Sequence, residues 1–238
     1  MGRAYEVRKA SIQKNGAVKA KLYSTFAKEI YLAAKNGGTD VSCNEILKRL
    51  ITRAKDNQIP NDIITRAIDK VNKGITEDYT SVVYEGYGPA GSNIIVKGLT
   101  DNVNRILSYI RPAFTKNNIK LGASGSVSFM YDNLAVFVVE NKTEDEILEL
   151  MIDNDIDVSN IETKEDKVII YAAHDDYSKV IKTLEADQDI KVENEELVML
   201  AKDTVNLAGD DKLVFEKLLA ALDEIEDVTD YYHNVDNI

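Results

Sequence analysis

The chain has 238 residues and a formal net charge of −12, with 44% hydrophobic and 29% charged residues, a balance suited to a globular protein that buries a sizeable core. Charge interrupts every long apolar stretch and Cys43 is the single cysteine, which excludes a membrane-spanning chain, an intramolecular disulfide and a thiolate metal cluster. A reducing cytoplasm fits, and the opening MGRAYEVRK lacks the apolar run of a secretory signal.

From Met1 to about Ala20 no apolar period is evident, and Arg3, Arg8, Lys9, Lys14 and Lys19 are opposed by Glu6 alone, so this stretch reads as a basic arm. From Lys21, the residues Leu22, Phe26, Ile30 and Ala33 or Ala34 recur at helical spacing, and Gly37-Gly38 supply a stop. Ser42 followed by Glu45 is a capping-box pattern that opens a second helix through Ile46, Leu47, Leu50, Ile51 and Ala54, ending near Asn57. Pro60 opens a third stripe at Ile63, Ile64, Ala67, Ile68 and Val71, which stops at Gly74.

The periodicity then changes. Val82-Val83-Tyr84 and Ile94-Ile95-Val96 are short β-branched runs on either side of GYGPAG, which predicts two strands and a tight connection. A helix is expected over 102–118, bent or interrupted by Pro112, and a strand over 126–131. Next come a strand (134–140), a helix capped by Thr143 and Glu146, strands near 156–161 and over 167–173, a helix (175–186) and a strand near 190–200. That order is β-α-β-β-α-β, the split ferredoxin-like pattern. A helix at about 210–225 and a strand at 227–233 end the chain; if they rejoin the strands of 81–131, one α+β domain is inserted inside another.

Charge follows these divisions. Residues 1–75 hold 15 Lys/Arg against 7 Asp/Glu, residues 76–133 hold 5 against 5, residues 134–205 hold 7 against 20, and residues 206–238 hold 2 against 9. A basic N-terminal module suited to a polyanion is thus joined to acidic parts that repel non-specific contacts.

The motifs for chemistry are few. Gly86 to Gly91 matches G-x-G-x-x-G, but a strand follows it where a dinucleotide site needs a helix, so a hairpin loop is the reading. No phosphate-binding G-x-x-x-x-G-K-[ST] loop occurs. His174 and His233, the two histidines, stand in no nucleophile or zinc pattern and read as solvated loop or strand-end residues. The acidic clusters at 144–146, 153–157 and 193–196 read as solvated faces, and 153–157 lacks the glycine and distal glutamate of a calcium loop. In Asp101-Asn102-Val103-Asn104-Arg105, Asp101 sits where a helix cap should be and Asn104 and Arg105 lie in the first turn, beside exposed backbone N–H groups that can meet phosphate; plain capping with Arg105 paired to a carboxylate is the alternative.

The segments FAKEIYLAAKNGG (26–38), RAKDNQIPNDIITRAIDK (53–70), YEGYGPAGSNIIV (84–96), LTDNVNRILSYIR (99–111) and LGASGSVSFMY (121–131) resemble the YebC/PmpR family, and more closely its YeeN-like branch. The resemblance runs over nearly the whole chain. Departures fall at the start, where Gly2-Arg3-Ala4-Tyr5 and Ala17-Val18-Lys19-Ala20-Lys21 replace the family's usual Gly-His-Ser-Lys-Trp and Lys-Arg-Gly-Lys stretches. Val103 and Ile106 likewise replace its usual Arg and Thr beside the Asn-Arg pair.

The resemblance implies an α+β protein of three domains: an N-terminal helical bundle plus two ferredoxin-like α+β domains, the third inserted into the second. In this chain they are residues 1–77, 78–133 with 206–238, and 134–205. Family members are usually labelled probable transcriptional regulators that bind DNA, while relatives in bacteria and mitochondria are described as translation factors acting on the ribosome. No cofactor, metal or catalytic activity belongs to the family.

The expected function is therefore a non-enzymatic nucleic-acid-binding regulator of gene expression in the cytoplasm, its partner duplex DNA or ribosomal RNA, with the ribosome or transcription machinery beyond. Phosphate contacts are expected from Arg3, Arg8, Lys9, Lys14, Lys19, Lys21, Lys28 and Lys35, with Asn102, Asn104 and Arg105 as a second contact. A protein-interaction adaptor working through the acidic domains is the reading from a different class.

Overall fold

The computed structural model describes residues 16–238, with side chains from Lys19 onward. The chain divides into two compact units, one closing at Ser128 and resuming at Val205, the other spanning Phe129–Thr204.

The first unit begins with three helices, α1 (Gly16–Gly37), α2 (Glu45–Asp56) and α3 (Asn61–Asn72). Phe26, Ile30, Tyr31 and Ala34 of α1 meet Leu47 and Ala54 of α2 and Ile64 and Ala67 of α3 in one apolar core. The cap of α2 is Asn44 and not Ser42. Asn44 Oδ1 accepts from Leu47 N at 3.0 Å, and Nδ2 donates to the carbonyls of Ala33 and Gly38 at 2.8 Å. The Ser42 hydroxyl is already bonded to Asp40 at 2.6 Å, and Glu45 pairs with Arg49 at 2.9 Å.

Strands β1 (Thr80–Tyr87) and β2 (Asn93–Thr100) form a hairpin, followed by α4 (Val103–Lys116) and the two-residue β3 (Lys120–Leu121). After the second unit, α7 (Gly209–Asp223) and β8 (Val228–His233) complete an antiparallel sheet of order β3-β1-β2-β8. Helices α4 and α7 cover one face, burying Ile106, Ile110, Phe114, Phe215, Leu218 and Leu222 against Ile94, Val96 and Val228. Pro112 does not interrupt α4; it and Ser108, whose carbonyl it leaves without an intrahelical donor, both lie on the exposed side, where water can replace the lost bond. A register shift at Lys97/Gly98 lets Leu99 N donate to Asp227 O at 2.8 Å. Gly98 is required at that crossing, because a Cβ there would meet Ile106 Cδ1 at 2.5 Å and Asp227 O at 2.9 Å.

The expected strand over 126–131 is instead a loop followed by a short 3-10 turn, Ser128–Met130; the strand β4 runs over Tyr131–Glu140. In the second unit β4 is followed by α5 (Glu144–Asp153), β5 (Val158–Lys164), β6 (Lys167–Ala173), α6 (Tyr177–Ala186) and β7 (Lys191–Ala201). The sheet order β5-β6-β4-β7 is the split ferredoxin-like order strand for strand. Thr143 and Glu146 form the reciprocal capping box expected of them. Phe137, Val139, Val168 and Ile170 face Ile147, Met151, Val180, Ile181 and Leu184 across the core. The other sheet uses the same layers, two helices on four antiparallel strands, with its hairpin in the middle. The fold class is thus α+β throughout.

Candidate nucleic-acid interface

Helix α1 points a polar stripe at the connection between α7 and β8. Lys21 Nζ donates to the carbonyls of Leu222 at 3.0 Å and Asp223 at 3.3 Å, the end of α7 where a cation complements unpaired carbonyls. Burial lowers the Lys21 pKa, with Asp223 and Asp230 opposing it. One turn on, Ser24 Oγ donates to Glu226 at 3.0 Å. Lys28 Nζ then donates to Asp227 Oδ1 at 2.8 Å and Leu99 O at 3.2 Å, with 11% of its side chain exposed.

Asp227 is the centre of this arrangement. Its Oδ2 accepts from Thr100 Oγ1 at 2.9 Å and from Arg105 Nε at 3.1 Å and NH2 at 2.7 Å. Burial alone would raise its pKa; the bonds from Lys28, Arg105 and Thr100 outweigh that and hold it below the usual Asp value. Arg105 also reaches Asp101 at 2.5 Å. At the turn 101–105 Arg105 is paired to carboxylates, and the cap is Asn102 and not Asp101: Asn102 Oδ1 accepts from Arg105 N at 3.0 Å, while the Asp101 side chain is bonded to Arg105.

The predicted contact residues therefore fall into groups. Lys21, Lys28 and Arg105 are occupied by bonds that fasten α1 and α4 to the α7–β8 turn, and Lys35 is bonded to Asp78 at 2.9 Å and Glu77 O at 3.1 Å. Lys19 and Asn104 are exposed, as is the Asn102 backbone turn. Arg3, Arg8, Lys9 and Lys14 lie outside the described residues. On α2 and beyond α3, Lys48, Lys55 and Lys73 add exposed cations that the charge count held but the prediction did not single out.

Glu85 was missed altogether. It is 3% exposed and accepts hydrogen bonds from the backbone N–H groups of Gly125 at 2.8 Å, Ser128 at 3.0 Å and Val127. Burial would raise its pKa, but these backbone donors bring it below the usual Glu value. Gly122 N donates to Glu85 O at 2.8 Å and the Tyr87 hydroxyl donates to Ser126 O. The two motifs YEGYGPAG and GASGSVS are thus one structure, a hairpin whose buried carboxylate organises the loop of the other. Its tip is the hairpin expected: Gly88 N donates to Ser92 O at 2.7 Å, and Gly91 adopts φ 78°, a conformation that favours glycine.

The histidines differ from each other. His174 is exposed, as expected. His233 ends β8, as expected of a strand-end residue, but is part-buried: its ring stacks edge-on to Phe215 at 5.4 Å, and burial pushes its pKa down to about 4. Among the described residues no group of three or more His, Cys, Asp or Glu is placed to hold a metal ion, and no helix is long and apolar enough to cross a membrane.

A two-unit α+β chain with a lysine-bearing helix fastened to its C-terminal turn defines the architecture with which it can be compared. The family model for the TACO1/YebC protein N-terminal domain matches residues 3–74, and that for the TACO1/YebC second and third domain matches residues 79–235. The chain belongs to the TACO1/YebC family. It is 43% identical to a probable transcriptional regulatory protein of Alteromonas mediterranea, over 98% of both chains. It is 44% identical to one of Acholeplasma laidlawii, over 99% of this chain and 98% of that one. The crystal structure of a conserved hypothetical protein from Aquifex aeolicus superposes with a TM-score of 0.75 at 31% identity, covering 94% of each chain.

Proposed function

We propose that the protein is a non-enzymatic, cytoplasmic regulator of gene expression that binds nucleic acid through its basic N-terminal module. The observation that carries this is the charge division: 15 Lys/Arg against 7 Asp/Glu in residues 1–75 of a chain whose net charge is −12. The names of the relatives, probable transcriptional regulatory proteins, agree with it. Because Lys21, Lys28, Lys35 and Arg105 are committed within the chain, the contact set we favour is Arg3, Arg8, Lys9, Lys14 and Lys19, with Asn104 secondary. Residues 1–77, 78–133 with 206–238, and 134–205 are read as three domains, of which the first meets phosphate.

Duplex DNA is the target a transcriptional role would require, and transcriptional regulation is what the relatives' names state. A second reading, ribosomal RNA on the ribosome, is favoured by one observation: residues 134–205 hold 7 Lys/Arg against 20 Asp/Glu, which naked nucleic acid repels and a target that also presents protein does not. Binding of the purified protein to duplex DNA and to ribosomes, each at low and near-physiological salt, separates them. Substituting Arg8→Gln, Lys9→Gln and Lys14→Gln together removes up to three phosphate contacts, so the slope of log K against log salt should fall by about 3 on duplex DNA. Unchanged affinity and slope would remove the arm from the mechanism.

A further inference from the structure

Nucleic-acid binding through the basic module leaves the acidic second unit without a task, and one side of that unit is built for a partner. Helix α5 carries Glu144, Asp145, Glu146, Glu149 and Asp153 and no basic residue, yet it exposes two large apolar side chains, Leu148 at 42% and Ile152 at 63%. They stand one turn apart and so form a single apolar strip. The side of α5 on which they lie is fixed by Glu144, a turn before Leu148, whose Oε2 accepts from Thr163 Oγ1 of β5 at 3.2 Å. The strip therefore overlooks β5.

Strand β5 is the edge of its sheet. Among the described residues the strand it pairs with is β6, which leaves β5 at the end of the order β5-β6-β4-β7. It carries no proline, and its one lysine is its last residue, Lys164; the devices that usually blunt an edge are therefore reduced to the irregularity between Val158 and Asn160. Carboxylates rim the strip: Asp145 and Glu149 along the helix, exposed Asp157 at the start of β5 and exposed Asp166 in the turn after it.

We infer that the β5 edge and the Leu148–Ile152 strip together receive an extended, basic protein segment that adds to the sheet as a fifth strand. Backbone pairing to β5 would hold it, alternate apolar side chains would pack on Leu148 and Ile152, and the cationic side chains, which alternate to the other face of the sheet, would sit in the net negative field of the unit. Charge complementarity selects this occupant: the unit holds 21 Asp/Glu against 7 Lys/Arg over residues 129–204, which disfavours nucleic acid or a second acidic copy of this chain.

The probe is an eight-residue capped peptide of alternating Lys and Val, titrated against the full chain at physiological ionic strength, with an alternating Lys/Ser peptide of equal charge as control. The expected result is that Leu148→Ser with Ile152→Ser weakens the Lys/Val complex at least tenfold, that the Lys/Ser peptide binds at least tenfold more weakly to the unaltered chain, and that the Lys/Val peptide slows amide hydrogen exchange in 158–164. N-methylation of alternate peptide nitrogens, in one of its two phases, should abolish binding. Because both substituted side chains are exposed, an unchanged melting curve verifies the variant fold. Equal binding of the two peptides, indifference to the double substitution, or no binding of the Lys/Val peptide would each overturn the inference, while leaving the nucleic-acid reading untouched.

Discussion

Glu85 is ionised although 3% exposed, because three backbone N–H groups converge on its carboxylate. Glu85→Gln puts an amide donor against those donors, so a cost of about 2 kcal/mol is expected, with faster amide exchange confined to 122–128; a urea titration and an exchange map check both. His233 has the opposite chemistry. Its folded pKa of about 4 lies below the ordinary 6.5, so folding favours the neutral ring. That stabilisation is fully present above about pH 6.5 and drains away as pH falls towards 4, by on the order of 3 kcal/mol. His233→Phe should flatten the stability profile over that window, and a profile unchanged in slope would show that His233 does not titrate as argued. Neither residue could be picked out from sequence. A glutamate in a strand and a histidine at a strand end look like any others until partners some 40 residues away (for Glu85) or on another element (for His233) are in place.

Among the elements, the helices were legible because an apolar repeat of 3.6 residues needs no knowledge of the partner: the stripes through Phe26–Ala34, Leu47–Ala54 and Ile64–Ala67 are the ones buried. Strand patterns were legible where both faces are covered, as in β6, and failed at 126–131, where Val127 is buried by the loop that Glu85 gathers and not by a ladder. Fewer of the basic residues proved readable as contacts. Lys21 and Lys28 look like a cationic helix face in sequence, but their acceptors are about 200 residues further on. Asp227 joins Lys28 to Arg105, so Asp227→Asn leaves Lys28 buried without a charge partner and should destabilise the chain by about 3 kcal/mol. The pH dependence has the matching sign: the contribution is present above the ordinary Asp pKa and is lost as pH falls through the lower folded value. A thermal or urea titration of Asp227→Asn at neutral pH tests it; a loss under 1 kcal/mol would show the tie to be superficial.

At the scale of the whole molecule, the second unit leaves and rejoins the chain at adjacent points. Tyr131 pairs with Ala201, and Lys202 N donates to Met130 O at 2.9 Å. With its ends together and a core of its own, residues 129–204 expressed alone should fold, unfolding cooperatively with a stability of a few kcal/mol; a fragment with no cooperative melt would contradict this. The first unit has no such independence in time. A chain made from its N-terminus completes Phe129–Thr204 while α7, Asp227 and β8 are still unmade, so β2 waits with one side open, Lys21 waits for its carbonyl acceptors, and Lys28 and Arg105 wait for the carboxylate they share. A message cut short before codon 227 would therefore yield a sound inserted unit and a first unit whose sheet lacks β8 and whose Lys28 and Arg105 lack the carboxylate that ties them together.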